Sequence, residues 1–219
     1  MATPLRRYGA GARVYDVLSG ERWVYHAGRE AGIDLLAPRR GDIVIDLGCG
    51  TGLNFPALAA AVGPEGLVVG IDRSVDMLAM ARRRVSAEGW GDRIRIVESD
   101  AAELDTGRIH ALMAGERDRD RADALFITYA LSVFDRRDEA WTRARTLVRS
   151  GGRAGIVDMQ APTGRWKVFS PLAHLACATG GSDIRSRPWR LLERDAVAGT
   201  VRRTERKGGH LVVVAADLP

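Results

Sequence analysis

Three carboxylates and a glycine-rich loop lie where this chain could hold a small charged ligand. Glycine alternates three times in the segment VIDLGCGTG, residues 44–52, directly after an apolar run. Glycine permits positive φ and lets the main chain approach a ligand closely, and the amides at a following helix start can hold an anionic group. Asp46 precedes the loop, and Asp72 and Asp100 follow the next two apolar runs. These acids are therefore expected at one edge of a parallel sheet.

The spacing of the loop separates two classes of nucleotide ligand. The dinucleotide fingerprint is G-x-G-x-x-G, whereas the third glycine comes one residue early here. A carboxylate at position 72 can accept hydrogen bonds from both hydroxyls of a ribose, and one at position 100 can accept from an adenine amine. Three acids, with no pyrophosphate for them to repel, suit a nucleoside that carries a positive charge. S-adenosylmethionine is such a molecule.

The elements that must position these groups follow an α/β rhythm. From residue 42, short apolar runs alternate with helical patterns, which is typical of a parallel sheet covered on both faces. The predicted strands are 43–47, 67–71, 94–97, 124–128 and 153–158, and the predicted helices are 53–62, 74–88 with Ser74 as its N-cap, and 136–149. Residues 10–37 have loosely helical spacing, and an arginine- and aspartate-rich loop is predicted around 116–121. Segments 201–205 and 211–215, split by two glycines, are predicted to form an antiparallel pair.

Together, VIDLGCGTG, GID at 70–72 and SDA at 99–101 resemble the class I S-adenosylmethionine-dependent methyltransferases over residues 40–160. The pair Gly151-Gly152 before the fifth predicted strand also resembles that family. The resemblance implies a Rossmann-like, doubly wound, seven-stranded mixed sheet in the order 3-2-1-4-5-7-6, with strand 7 antiparallel. We expect one domain, with an N-terminal helical cap at 1–40, a cofactor-binding core at 41–160, and a lid segment and C-terminal β-hairpin at 161–219.

The same resemblance assigns roles by position. Asp46 and the glycine loop would hold the methionine end of the cofactor, Asp72 the ribose, and Asp100 the adenine. The predicted cofactor residues are Tyr15, Arg29, Asp46, Gly48, Cys49, Gly50, Asn54, Asp72, Arg73, Asp100, Ala101 and Tyr129. The predicted substrate residues are Tyr25, His26, Ser132 and Gln160. No metal is expected, because the chain has no His or carboxylate cluster with metal-ligand spacing.

The acceptor is less constrained than the cofactor. Tyr15 and YHAGR at 25–29 are similar to the bacterial phosphatidylethanolamine N-methyltransferases and quinone-biosynthesis methyltransferases. We expect methyl transfer to a small molecule or lipid headgroup, with an amine slightly favoured. The alternatives are O- or C-methylation of a secondary metabolite or quinone, and a relative that binds the cofactor without methylating. A base is required only for a protonated acceptor. Tyr129, Asp158 and His174 are the candidates, and a structural role is the alternative for each.

The charge distribution bears on partners. The net charge is +5, and residues 1–40 carry seven arginines against four acids, while 185–210 carry eight basic residues against three acids. The remaining core is mildly acidic, which suits an anionic substrate or anionic membrane surface at least as well as nucleic acid, and no nucleic-acid partner is expected. The apolar segment 168–178 is compatible with a lid, a membrane-touching patch or a core helix. Two cysteines and no apolar N-terminal stretch favour a reduced, cytoplasmic protein.

Overall fold

The structure is a computed structural model that describes residues 25–164, 166, 170 and 183–219. Tyr15 and His174 lie outside the described residues, as does the 168–178 segment except for Ser170. Five parallel strands begin the sheet, and most of their residues are buried because helices cover both faces. They are β1 Ile43–Leu47, β2 Leu67–Asp72, β3 Ile94–Glu98, β4 Ala122–Thr128 and β5 Val148–Met159.

Two further strands complete a seven-stranded mixed sheet in the order β3-β2-β1-β4-β5-β7-β6. Strand β7, Leu211–Asp217, runs antiparallel both to β5 and to β6, Arg202–Arg206. The chain winds from β1 outward to β3 and then returns to place β4 on the other side of β1. The expected strand order is therefore confirmed, and the reversal beside β1 is the place where open α/β sheets bind ligands.

Helices cover the two faces of the sheet. They are α1 His26–Leu36, α2 Phe55–Val62, α3 Val75–Ala87, α4 Thr106–Arg117, α5 Arg137–Arg145 and α6 Arg190–Asp195. Alternate residues of β1 divide the core, since Ile43 and Ile45 pack in the cluster with Trp141, whereas Val44 packs in the cluster with Phe55. This alternation follows from the two-residue period of a strand.

Helix α1 packs across β5 and β7. Gly32 permits this close approach, since a Cβ at that position would overlap the Val157 side chain. The first turn of helix α1 lies at the carboxyl edge of the sheet, where Tyr129 contacts Tyr25.

Several elements differ from the sequence-based expectations, and β4 begins at Ala122 instead of residue 124. Helices α4 and α6 were not predicted. Strand β5 begins at Val148 instead of residue 153, with a register shift between its pairings to Ala122 and Ala124. The two glycines expected before this strand lie within it, and Gly151 has a φ of 68°. Helix α5 consequently ends at Arg145 instead of residue 149.

No helix in the described part of the chain has the length and apolar content needed to cross a lipid bilayer.

Candidate functional site

The glycine loop turns the chain from β1 toward α2. The amides of Gly48 and Cys49 both donate to the Ile71 carbonyl, at 2.7 and 3.0 Å. Gly48 has a φ of 72°, and a Cβ there would overlap the Ala130 side chain. A Cβ at Gly50 would meet no described atom within 4 Å. The loop is thus tight on one side and has room for a ligand on the other.

Asp72 ends β2 and holds the loop in place. Its Oδ2 accepts from the Gly50 amide and its Oδ1 from the Ser74 amide, each at 2.9 Å. The carboxylate is partly exposed, and each oxygen has a second lone pair that can accept from a ligand hydroxyl. As predicted, the Ser74 side chain caps α3, where it accepts from the Met77 amide. Asp72 thus both organises the loop and retains capacity for a ribose.

Asp100 follows β3 and begins a short 3₁₀ turn, Ala101–Glu103. Its Oδ1 accepts from the Ala102 amide at 2.8 Å, and its Oδ2 lies 3.7 Å from Arg73 Nη1. Arg73 lies equally close to Asp135, beyond β4. Because the Arg73 side chain is half exposed, these pairs are weak electrostatic contacts. The structure therefore gathers the ends of β2 and β3 at one edge, as expected.

Asp46 is the fully buried acid of the group. Its Oδ1 accepts from Asn54 Nδ2 at 2.9 Å, while its Oδ2 has no hydrogen-bond partner among the described residues. Burial, opposed by the Asn54 bond and the Arg29 charge, raises the pKa of Asp46 to about 7. Buried polar atoms normally have partners. This unpartnered oxygen, close to the open loop, fits a positively charged ligand group.

Arg29 reaches this acid from α1 through a hydrogen-bond network. Its Nη1 donates to Asn54 Oδ1 at 3.1 Å and to Thr128 Oγ1 at 3.2 Å. Asn54 Nδ2 also donates to Thr128 Oγ1, at 2.9 Å. Residues 128–132 were expected to pass between cofactor and substrate, but no contact was predicted for Thr128 itself, although a polar residue closing a predicted strand at the site edge was a usable signal. The network joins α1, the glycine loop and β4.

Tyr129, directly after β4, has an unusual backbone conformation. Its φ is 54°, in the left-handed region that costs a bulky residue free energy. Its hydroxyl donates to the Tyr25 carbonyl at 2.8 Å, the two rings meet edge-on at 4.9 Å, and the Arg29 guanidinium lies 5.2 Å from the Tyr129 ring centroid. Met159, Ile184 and Leu211 pack against the two rings. These five side chains, Tyr25, Tyr129, Met159, Ile184 and Leu211, are termed the aromatic wall.

Asp158, near the end of β5, is fully buried and hydrogen bonded. Ser132 donates to it from its hydroxyl at 2.8 Å and from its amide at 3.1 Å, and the Met159 amide donates at 2.8 Å. Burial, opposed by these bonds, raises the pKa of Asp158 to about 6. The carboxylate holds the 3₁₀ turn Leu131–Val133 against the sheet.

The other predicted site residues divide between this edge and the surface. Cys49 is buried, which raises the pKa of its thiol, and Ala101 is buried at the start of its turn. Gln160 donates to the Gly209 carbonyl at 2.8 Å, and so contacts the β6–β7 turn. His26 Nε2 lies 3.2 Å from Glu30 Oε1, and both side chains are 63% exposed.

Several known proteins are similar to this chain in sequence or in fold. A family model described as a methyltransferase domain matches residues 44–152, about half of the chain. The chain is 27% identical over 165 residues to the demethylmenaquinone methyltransferase of Symbiobacterium thermophilum, covering 71% of this chain and 61% of that protein. It is 29% identical over 150 residues to the ubiquinone/menaquinone biosynthesis C-methyltransferase UbiE of Pseudomonas putida, covering 68% and 54%. The chain belongs to the class I S-adenosylmethionine-dependent methyltransferases.

A crystal structure of an S-adenosylmethionine-dependent methyltransferase from Aquifex aeolicus has the same fold as this methyltransferase. The TM-score is 0.63 at 17% identity, and the comparison covers 95% of this chain and 97% of the other.

The cofactor of this methyltransferase is S-adenosylmethionine. The residues present fit that cationic nucleoside, since Asp46 offers a buried oxygen, Gly50 has open space beside it, and Asp72 has lone pairs to spare. The individual cofactor contacts stay predictions. This methyltransferase spans 61% and 54% of the length of the two curated relatives above.

Proposed function

We propose that this methyltransferase methylates a ring carbon of a demethylated quinone precursor. One of the two relatives described above is named a demethylmenaquinone methyltransferase, and the other a ubiquinone/menaquinone biosynthesis C-methyltransferase. The observation that carries the proposal is the aromatic wall, which lies at the sheet edge beside Arg29 and the Asp46 network. Tyr25 and Tyr129 are the partly exposed members of the wall, and aromatic side chains of this kind bind a flat apolar ring.

The cofactor contacts follow from the chemistry of the three acids. When bound, S-adenosylmethionine supplies an electrophilic methyl group on a positively charged sulfur. Asp46 Oδ2 would accept from the ammonium of the methionine end, Asp72 from the ribose hydroxyls, and Asp100 from the adenine amine. Arg73 would lie beside the ribose, since it adjoins Asp72 in sequence and pairs with Asp100. These roles leave the aromatic wall for the acceptor, so Tyr129, which was predicted from the sequence as a cofactor residue, is here proposed to contact the acceptor.

The acceptor needs alignment and an anionic ring more than a strong base. A ring carbon becomes nucleophilic when a neighbouring hydroxyl has lost its proton, and a guanidinium nearby favours that anion. Arg29, against the Tyr129 ring, would supply this charge. Asp158 is enclosed and bonded to Ser132, so we assign it a positioning role, whereas His174 stays a candidate base from the sequence alone. Alignment and exclusion of water would provide most of the rate acceleration.

A ring carbon is now the proposed acceptor, in place of the amine that the sequence slightly favoured. Neither of the two quinone-related proteins is named for an amine acceptor. A cytoplasmic location and contact with an anionic membrane belong to the same proposal. A quinone precursor is lipid-soluble, and the bilayer surface is where a peripheral enzyme would meet it.

Labelled cofactor tests the acceptor class directly. The purified chain would be incubated with methyl-labelled S-adenosylmethionine and either a chemically reduced short-chain demethylmenaquinone or phosphatidylethanolamine in mixed micelles. We expect label in the quinol, and fragmentation in the mass spectrometer should assign it to a ring carbon. Label in phosphatidylethanolamine and none in the quinol would overturn the proposal.

Variants of the aromatic wall sharpen this test. Tyr25→Ala removes a ring that contacts Tyr129 and should raise the KM for the quinol about tenfold, because an aromatic contact and its buried area are lost. Tyr25→Phe keeps the ring and the main-chain carbonyl, so it is the matched control and should behave like the parent. An equal effect of both changes would remove the wall from acceptor binding.

A further inference from the structure

The turn between β6 and β7 lies at the same edge of the sheet as the candidate site. Leu211, the first residue of β7, pairs with Met159 at the end of β5, and the Gln160 amide donates to the His210 carbonyl at 2.8 Å. Because β7 is antiparallel, its beginning meets the carboxyl ends of the parallel strands. Leu211 is itself part of the aromatic wall. Residues 207–210 therefore flank the acceptor side of the site.

A second segment, 183–187, reaches this edge from elsewhere in the chain. The Asp183 amide donates to the Ser132 carbonyl at 3.2 Å. Ile184 then packs with Met159 and Leu211. The two segments thus adjoin around the aromatic wall.

Both segments carry exposed positive charge. We name Arg185, Arg187, Arg206 and Lys207 the basic rim, and all four are exposed. None of the four has an ion pair within the described ranges. Of the two nearby acids, Glu205 pairs with Arg203 at 2.9 Å, and Asp183 accepts from the Arg185 amide and keeps its charge, so four basic side chains face one acid that has no ion pair in the described part of the chain. The acceptor side of this edge therefore has an excess of positive charge, although residues 41–184 carry more acidic than basic side chains.

A large aromatic side chain lies beside the rim. Trp166 is 45% exposed. Its indole lies against Gly208, next to Lys207, so closely that a Cβ at position 208 would be 2.7 Å from Trp166 Cδ1. Tryptophan next to lysine and arginine is typical of surfaces that lie at the boundary between water and lipid.

We propose that the basic rim and Trp166 dock this edge of the sheet onto an anionic lipid surface. Charge complementarity selects the partner, since each basic side chain near such a surface adds attraction and the indole can enter the headgroup region. The inference rests on the proposed function, because a lipid-soluble acceptor would then enter the site from the side that faces the bilayer. It deepens that function by naming the residues that would contact the membrane.

Vesicle flotation of the full chain tests the docking. Vesicles of phosphatidylcholine alone would be compared with vesicles that contain about a third phosphatidylglycerol, at low and high salt. The double change Arg206→Gln/Lys207→Gln should lower the partition coefficient on anionic vesicles roughly 10- to 30-fold. Arg39→Gln/Arg40→Gln removes the same charge from the opposite edge of the sheet, just before β1, and should leave partitioning within about twofold of the parent.

Tryptophan fluorescence gives an independent reading. Anionic vesicles should shift part of the emission to shorter wavelength in the parent, and Trp166→Phe should abolish that shift. Equal weakening by the two charge pairs, binding to neutral vesicles as strong as to anionic ones, or binding of a single-stranded RNA probe in place of vesicles would each overturn the docking. These assays contain neither cofactor nor acceptor, so they can succeed or fail independently of quinol methylation.

Discussion

The two halves of the carboxyl edge differ in how much hydrogen-bonding capacity their acidic side chains keep for a ligand. On the cofactor side, Asp72 and Asp100 are partly exposed and accept from neighbouring main-chain amides, and the buried Asp46 has one oxygen without a hydrogen-bond partner among the described residues. On the acceptor side, Asp158 is fully buried and bonded to Ser132. An acid at a strand end is thus available to a ligand only where the following loop leaves lone pairs accessible. The first half is built for a polar ligand, and the second for a rigid apolar wall.

The halves also differ in how far apart in sequence their parts lie. The hydrogen bonds described above for the acids of the cofactor side join each acid to a residue within 22 positions in the sequence. The aromatic wall joins Tyr25, Tyr129, Met159, Ile184 and Leu211, which the sheet brings together from the whole chain. The cofactor side can therefore be recognised from local sequence, whereas the acceptor side depends on the completed fold.

Replacing Asp158 should have the largest effect on stability. Asp158→Ala leaves the Ser132 hydroxyl and the Ser132 and Met159 amides without their buried acceptor, and should lower the free energy of unfolding by about 3 kcal/mol. Ser132→Ala removes only one side-chain donor and should cost about 1.5 kcal/mol. Urea unfolding of the protein without cofactor measures both. Unchanged unfolding with lost methyl transfer would instead place Asp158 in contact with substrate and make the two halves alike.

Replacing Asp72 should mainly affect cofactor binding. Asp72→Ala removes the proposed acceptor of two ribose hydroxyls and should weaken binding by about 2–3 kcal/mol, or roughly 30- to 150-fold in Kd. Asp76→Ala, in the exposed first turn of α3, is the matched control and should bind normally. Isothermal titration with S-adenosylmethionine measures the difference. An unchanged Kd would mean that the ribose lies elsewhere.

Gly28 tests how α1 is joined to the acceptor side. A Cβ at this position would overlap the Tyr129 hydroxyl and would lie 3.2 Å from Leu211 Cδ1, so Gly28→Ala should lower the free energy of unfolding by about 2 kcal/mol. Tyr129→Phe removes the overlapping oxygen. The double variant Gly28→Ala/Tyr129→Phe should therefore recover at least half of the loss, measured as a coupling energy in a double-mutant cycle. Strictly additive losses would show that the hydroxyl is not what excludes the methyl group.

Local sequence predicted most of the sheet correctly. Strand β1 has the predicted bounds, and β2 and β3 each extend one residue beyond theirs. These strands are short apolar runs ended by an acid or a glycine, so few other strand boundaries are compatible with the sequence. The family order of strands, taken from the same motifs, is confirmed. The elements near VIDLGCGTG were predictable because sequence and structure are local there.

The elements with weak patterns were the ones missed. Helix α4 contains two glycines and buries only Ile109 and Met113, so its helical period is faint. Its usable signal was Asp105, whose side chain caps the helix by accepting from the Arg108 amide. Likewise, the bond from Gln160 to Gly209 depends on the pairing of β5 with β7, and no spacing in the sequence indicates it. The acceptor side was harder to predict because its contacts join residues that are distant in the sequence.

The pH dependence of cofactor binding is the smallest expected effect, measured per pH unit. It distinguishes the role of Asp46 from that of Asp158. Burial raises the pKa of both carboxyls, to about 7 and about 6. Both therefore contribute stability that is fully present below pH 4 and is lost as the pH rises through those values. If Asp46 meets the cofactor ammonium, its charged form is the binding form, and affinity should rise up to tenfold per pH unit from pH 5.5 to 7, or about 1.4 kcal/mol.

Asp46→Asn should flatten that rise, whereas Asp158→Asn should leave it intact and remove only part of the stability loss. Isothermal titration across this pH range, paired with thermal melts of the protein without cofactor, measures the two quantities separately. An affinity that does not change with pH in the parent would mean that the unpartnered Asp46 oxygen does not receive the ammonium. Equal flattening by both variants would mean that the two acids titrate as one unit, although Asp46 binds Asn54 and Asp158 binds Ser132.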